Sequence, residues 1–159
     1  MPVIRLETHI AAPLDRVFDL ARSIDAHQDT TERTGEKAVA GVLSGLIGAN
    51  EEVTWEAKHF GVRQRLSVKI TQFDRPSHFQ DIMVKGAFDH MKHDHFFASR
   101  DGGTLMTDRF EFGAPLGFLG RIAEKLFLTD YMRGFIVRRN AILKQIAESD
   151  GWRKYVKSG

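Results

Sequence analysis

The chain has 159 residues, 42% of them hydrophobic and 28% charged, with a formal charge of +2. That is enough for one domain with its own core, and the near-cancelling charges exclude the concentrated basic face of a dedicated nucleic-acid binder. Cysteine is absent, which excludes disulfides, thiolate catalysis and cysteine-ligated metal centres.

Val3 to Ala11 alternates in polarity and reads as a strand. Charges at Arg5 and Glu7 precede any apolar run, and no uncharged apolar segment reaches the roughly 18 residues of a membrane helix. A soluble cytoplasmic protein without stable membrane insertion is therefore expected. Pro13 suits the first turn of a helix, and Leu14, Val17, Phe18 and Ala21 follow at the spacing of one buried helical face. A second short helix is expected over Ile24 to Arg33.

After Gly35 the pattern changes to strands, at Glu36–Val42, Glu52–Phe60, Val62–Phe73, His78–Lys85, His90–Ser99 and Thr104–Gly113. Gly61 marks a tight turn, Asp74-Arg75-Pro76-Ser77 is turn chemistry, and Asp101-Gly102 favours a two-residue hairpin of the primed type. Between the first two of these strands, Gly41 to Gly48 lacks the Lys-Ser/Thr ending of a phosphate loop. It reads as a lid over a pocket mouth or as a plain strand connection. From Phe118 to about Ser149 the pattern is helical, through Leu119, Ile122, Leu126, Phe135, Ile142 and Ile146, with Thr129, Asp130 and Gly134 as points of interruption. Leu116 to Phe127 is expected to pack into the sheet, with contact to a membrane or partner as the alternative. Arg133, Arg138, Arg139 and Lys144 read as a solvated basic face, and Arg153, Lys154 and Lys157 as a solvated tail. Without repeats or linkers, residues 1–159 form one domain.

This order of elements resembles the START-like helix-grip superfamily, also called SRPBCC, which includes polyketide cyclase/dehydrase-like and lipid-transfer proteins. The resemblance is carried by the opening strand with Ala12-Pro13-Leu14-Asp15-Arg16-Val17-Phe18, by the hairpin series, and by Gly103-Thr104-Leu105-Met106-Thr107-Asp108 followed by Pro115-Leu116-Gly117-Phe118-Leu119-Gly120. It implies an α+β fold: a curved seven-stranded antiparallel sheet around a long C-terminal helix, with two short helices between strands 1 and 2. A cavity between sheet and helix is implied too. The superfamily hosts carriers, enzymes, sensors and co-chaperones, so the fold does not fix the function.

Side chains two apart share a strand face, and the more apolar face should point at the helix. That interior set is Val53, Trp55, Ala57, His59, Leu66, Val68, Ile70, Phe79, Asp81, Met83, Met91, His93, His95, Phe97, Met106, Asp108, Phe110 and Phe112. Twelve Phe against two Tyr agree with a large apolar lining or a filled core. His90, Lys92 and Asp94 fall on the opposite face and should be exposed. With Asp101-Gly102 as loop centre, Arg100 faces Gly103, Phe97 faces Met106 and His95 faces Asp108, while Asp81 falls opposite His93 or His95.

The sequence thus predicts an Asp/His cluster across three strands on the buried face. Three roles compete for it: a self-satisfied buried network, an anchor for the polar end of a ligand, and catalysis or metal binding. Nothing supplies a nucleophile or a metal-specific spacing, so no metal and no cofactor are expected. The leading expectation is binding or carriage of a small hydrophobic molecule such as a lipid, isoprenoid or polyketide-like compound. The first alternative is a cyclase/dehydratase-type enzyme with His95 as base and Asp108 as its orienting partner. The second is a co-chaperone-like interaction module with a filled cavity.

Overall fold

The computed structural model describes residues 2–157. Strand β1 (Val3–Ile10) leads into helices α1 (Leu14–Ala21) and α2 (Ile24–Thr30). Six strands follow: β2 (Lys37–Gly41), β3 (Glu52–His59), β4 (Val62–Asp74), β5 (His78–Lys85), β6 (His90–Arg100) and β7 (Gly103–Gly113). They make one antiparallel sheet in the order β1-β7-β6-β5-β4-β3-β2. β1 closes on β7, so the chain's first strand lies beside its last.

The expected hairpin chemistry is present. Asp101 and Gly102 both have positive φ, at 49° and 75°, and Arg100 pairs with Gly103. Phe60 and Gly61 repeat the arrangement between β3 and β4. The pairing register slips within β4, between Ser67 and Val68 and between Ile70 and Gln72. Such bulges bend a strand and increase its twist, which gives the sheet its concave face.

Across that face lie α3 (Gly117–Ala123), a π-helical turn (Glu124–Leu128) and α4 (Thr129–Glu148). The interruption precedes Thr129, and Gly134 sits inside unbroken helix. The buried stripe of α4 is Met132, Ile136, Arg139, Asn140, Leu143 and Ala147, which corrects the phase read from the sequence. Ile142 is exposed. Counting Arg139 as a surface residue shifted the apolar stripe; it lies inside, lining the cavity, and Asn140 beside it reaches Asp108 of the sheet.

Three further expectations are corrected. Leu116, Phe118, Leu119, Ile122, Leu126 and Phe127 are exposed rather than packed into the sheet. Asp94 is buried on the convex face, because His78 Nε2 and Gln80 Nε2 both reach its Oδ1, at 2.8 and 2.7 Å. The C-terminal segment is docked, through a short 3-10 helix (Asp150–Lys154) and buried Trp152 and Val156, although the cations of Arg153, Lys154 and Lys157 remain in solvent. Among the described residues no helix is long and apolar enough to cross a membrane.

The core is centred on Phe18 of α1. Its ring meets Phe73, Phe79 and Phe97 edge-on, at centroid distances of 5.5, 5.4 and 5.1 Å. This aromatic knot closes one end of the space between sheet and helix.

Candidate functional site

Between the concave face and α4 lies a cavity of about 330 Å3. Its wall is mainly apolar. From the sheet come Val53, Trp55, Ala57, Leu66, Val68, Ile70, Phe79, Met91 and Phe110, and from the helical side Leu128, Met132, Phe135 and Ile136. Asp81, His93, His95 and His59 also reach the wall. Met83, Phe97, Met106, Asp108 and Phe112, grouped with them in the sequence, do not line it. Phe97, Met106 and Phe112 are buried core, Met83 packs against the core, and Asp108 stands behind the histidines.

The glycine-containing connection is not a free lid. Ile24 N donates to Gly45 O, Gly45 N to Asp25 Oδ2, and Arg22 Nη1 to Ile47 O, so α1 and α2 hold it by 2.8–3.1 Å bonds. Its Ile47 is part of the wall.

The Asp/His cluster forms in the expected register: Asp81 faces His93 and His95 faces Asp108. The hydrogen bonds nevertheless run diagonally. His93 Nε2 donates to Asp108 Oδ1 at 2.8 Å, and His95 Nε2 to Asp81 Oδ2 at 3.0 Å. Diagonal neighbours on adjacent strands are within reach of rings this long. His95 Nδ1 lies 3.2 Å from Asp108 Oδ1, but off the line of a hydrogen bond, so that contact is one of charge. Asn140 of α4 donates Nδ2 to Asp108 Oδ2 at 2.7 Å and ties the cluster to the helix.

Burial pushes the Asp108 carboxyl up, but the hydrogen bond from His93 and the close approach of His95 outweigh it and hold the group well below the usual carboxylate range. Burial also raises Asp81, and His95 again reverses it. The two histidines divide. Burial and then the neighbouring His95 charge lower His93, whereas in His95 the pull of Asp108 and Asp81 overcomes burial and raises it. With rings stacked 3.8 Å apart, charge on one imidazole disfavours charge on the other. A raised imidazole holds its proton, the opposite of what a general base at His95 requires. Asp81, His93 and His95 place one donor atom each within 4.8 Å of one another, but the Nε2 atoms of both rings already donate to carboxylates.

A second polar group lies at the β2–β3 side. Glu36 is bonded by His27 Nε2 and approached by His59 Nε2 at 3.7 Å, while His59 Nδ1 meets the Tyr131 hydroxyl at 2.6 Å. Burial opposes ionisation of Glu36, yet the two histidines bring its pKa down to about 2. His27 stacks on Trp55 at 4.1 Å. Of these residues the sequence singled out only His59 and Trp55. Glu36 immediately precedes the edge strand β2 and His27 sits on a short helix, so nothing in local pattern pointed either of them inward.

Arg139 was also missed. Assigned to a solvated face, it is 6% exposed and lines the cavity beside the cluster. The available signal was its place one helical turn beyond Phe135 and Ile136, outweighed because arginine is normally outside.

A curved seven-stranded antiparallel sheet gripping one C-terminal helix, with two short helices after the first strand, decides the architecture. The chain has the START-like helix-grip fold. Solved structures agree. A Thermus thermophilus protein superposes with a TM-score of 0.74 at 20% identity, over 91% of this chain and 95% of its own. A major latex-like protein of Panax ginseng gives 0.68 at 14% identity, over 93% and 98%. A START superfamily protein of Mycobacterium smegmatis gives 0.68 at 10% identity, over 91% and 98%. No protein-family model and no curated protein matches the sequence. At these identities the likeness of the helix-grip proteins is one of fold, and the cavity residues must speak for function.

Proposed function

We propose that this chain binds and carries a small, largely apolar molecule, of lipid, isoprenoid or polyketide-like character, in the cavity between sheet and α4. The observation that carries the reading is the cavity itself. Its volume of about 330 Å3 equals the liquid volume of about eleven waters and falls within the range of small-molecule pockets. Its wall is built from Trp55, Val68, Phe79, Met91, Phe110 and Ile136, with polar groups gathered at two places. An apolar wall with a few convergent polar groups is the usual design of such a site. A body of hydrocarbon gains from leaving water at about 25 cal/mol per Å2, while the polar groups set its direction. The resemblance to lipid-transfer proteins points the same way, and the reading requires no metal or cofactor. The large cavity weighs against a filled, purely protein-binding module.

The test is the intact mass of freshly purified protein, native against denatured, with an organic extract analysed alongside. An extra mass released on denaturation, or saturable uptake of a neutral apolar dye by the empty protein, is expected. Neither occurring would refute the reading.

A further inference from the structure

One cation in this cavity has no carboxylate bonded to it, although Asp81 feels its charge at longer range. Arg139 projects from the middle of α4, and its Nε makes no hydrogen bond. The guanidinium makes one long contact, from Nη2 to Ala21 O at 3.4 Å. Among the described residues no carboxylate oxygen lies within ion-pair distance of it, although other arginines are paired: Arg22 and Arg75 with Asp19, and Arg63 and Arg65 with Glu56. The two nearby carboxylates are already engaged, Asp81 by His95 and Asp108 by His93 and Asn140. A guanidinium has five donors in a rigid fork matched to a carboxylate. Burying it without an acceptor is costly, and protein interiors rarely do so.

We propose that Arg139 is the anchor for the head of the cavity's ligand, and that the ligand is an apolar monocarboxylic acid. The proposal rests on the ligand-binding reading above and names its chemical class. The carboxylate takes the donors of the fork that face the cavity, while the hydrocarbon body lies against Trp55, Phe79, Met91 and Ile136. The proton on His95 keeps this end of the cavity from being dominated by Asp81 and Asp108. Asp81 on the same wall limits the site to a single negative charge, which favours a carboxylate over a doubly charged phosphate ester. An alcohol or ester of the same length fills the same apolar space but cannot accept a charge-assisted pair of bonds.

The experiment is competition against N-phenyl-1-naphthylamine, a neutral dye that reports the apolar cavity, with dodecanoate, dodecanol and methyl dodecanoate as competitors. Charge-assisted bonds of this kind change affinity by about tenfold or more, so dodecanoate should displace the dye from the native protein at least about tenfold better than either neutral analogue. In Arg139→Gln that preference should collapse to roughly equal displacement with the dye still bound. Arg139→Lys, which keeps the charge without the fork, should retain part of it. Melting temperatures of both variants establish that they are folded. Equal displacement by acid and alcohol in the native protein, or a preference that survives in Arg139→Gln, overturns the carboxylate assignment while dye binding leaves the cavity reading standing. Failure of the dye and all three competitors to bind overturns both.

Discussion

The Glu36 site gives a sharp test of the electrostatics around the cavity. Glu36 has a side chain about 10% exposed, bonded by His27 and approached by His59, and its pKa falls from 4.5 to about 2. At 1.36 kcal/mol per unit, that depression is worth ~3 kcal/mol of folding stability. The group's folded pKa is below its unfolded one, so the stabilisation is complete above pH 4.5 and is lost as pH falls towards 2. By pH 3.5 on the order of 1 kcal/mol of it should be gone. Glu36→Gln removes the titration. Urea unfolding at pH 5.5 should find the variant less stable by ~3 kcal/mol, and the gap between variant and native protein should narrow by on the order of 1 kcal/mol at pH 3.5. Other carboxylates titrate equally in both proteins and cancel in the difference. A gap that is absent at pH 5.5, or that does not narrow, would refute the assignment of Glu36 as an ionised group held by two histidines.

Asp108 is 0% exposed and receives bonds from His93 and Asn140, so Asp108→Asn should cost about 3–5 kcal/mol in chemical denaturation at neutral pH. A loss below about 1 kcal/mol would mean that the cluster is not a charged network. Because the Asp108 carboxyl is lowered on folding, its contribution in the native protein should disappear only as pH falls below about 4. Equimolar zinc should leave the melting temperature unchanged, since the Nε2 atoms of His93 and His95 are engaged by carboxylates; a rise that His95→Ala abolishes would assign the cluster to a metal instead.

Strand pairing was legible because its causes are local. The Asp101-Gly102 turn sets the register of β6 and β7, so the juxtaposition of His95 with Asp108 follows from counting outward along two strands. The alternation of apolar residues marked the concave face correctly from Val53 to Phe112. What counting did not give was the direction of the hydrogen bonds, which run diagonally because imidazole rings reach past the facing residue. It also did not separate the cavity wall from the core behind it: Phe79 and Phe110 line the cavity, while Phe97 and Phe112 of the same face are packed away by Phe18 and Phe88.

The helical side was read less well. Hydrophobic periodicity assumes that polar and charged residues face water; Asn140 breaks that assumption because Asp108 of the sheet receives it, and Arg139 because it lines the cavity. The exposed Leu116, Phe118 and Leu126 break it in the other direction. By itself the sequence determined the order of elements, the register of the β6–β7 hairpin and the Asp/His cluster, all consequences of period-two alternation and turn chemistry within a few residues. Only the tertiary structure decided the cavity's existence and volume, the inward placement of Arg139 and the Glu36 site. Those depend on where a helix lies across a sheet, which is set by packing between segments as distant as Ala21 and Arg139, 118 residues apart.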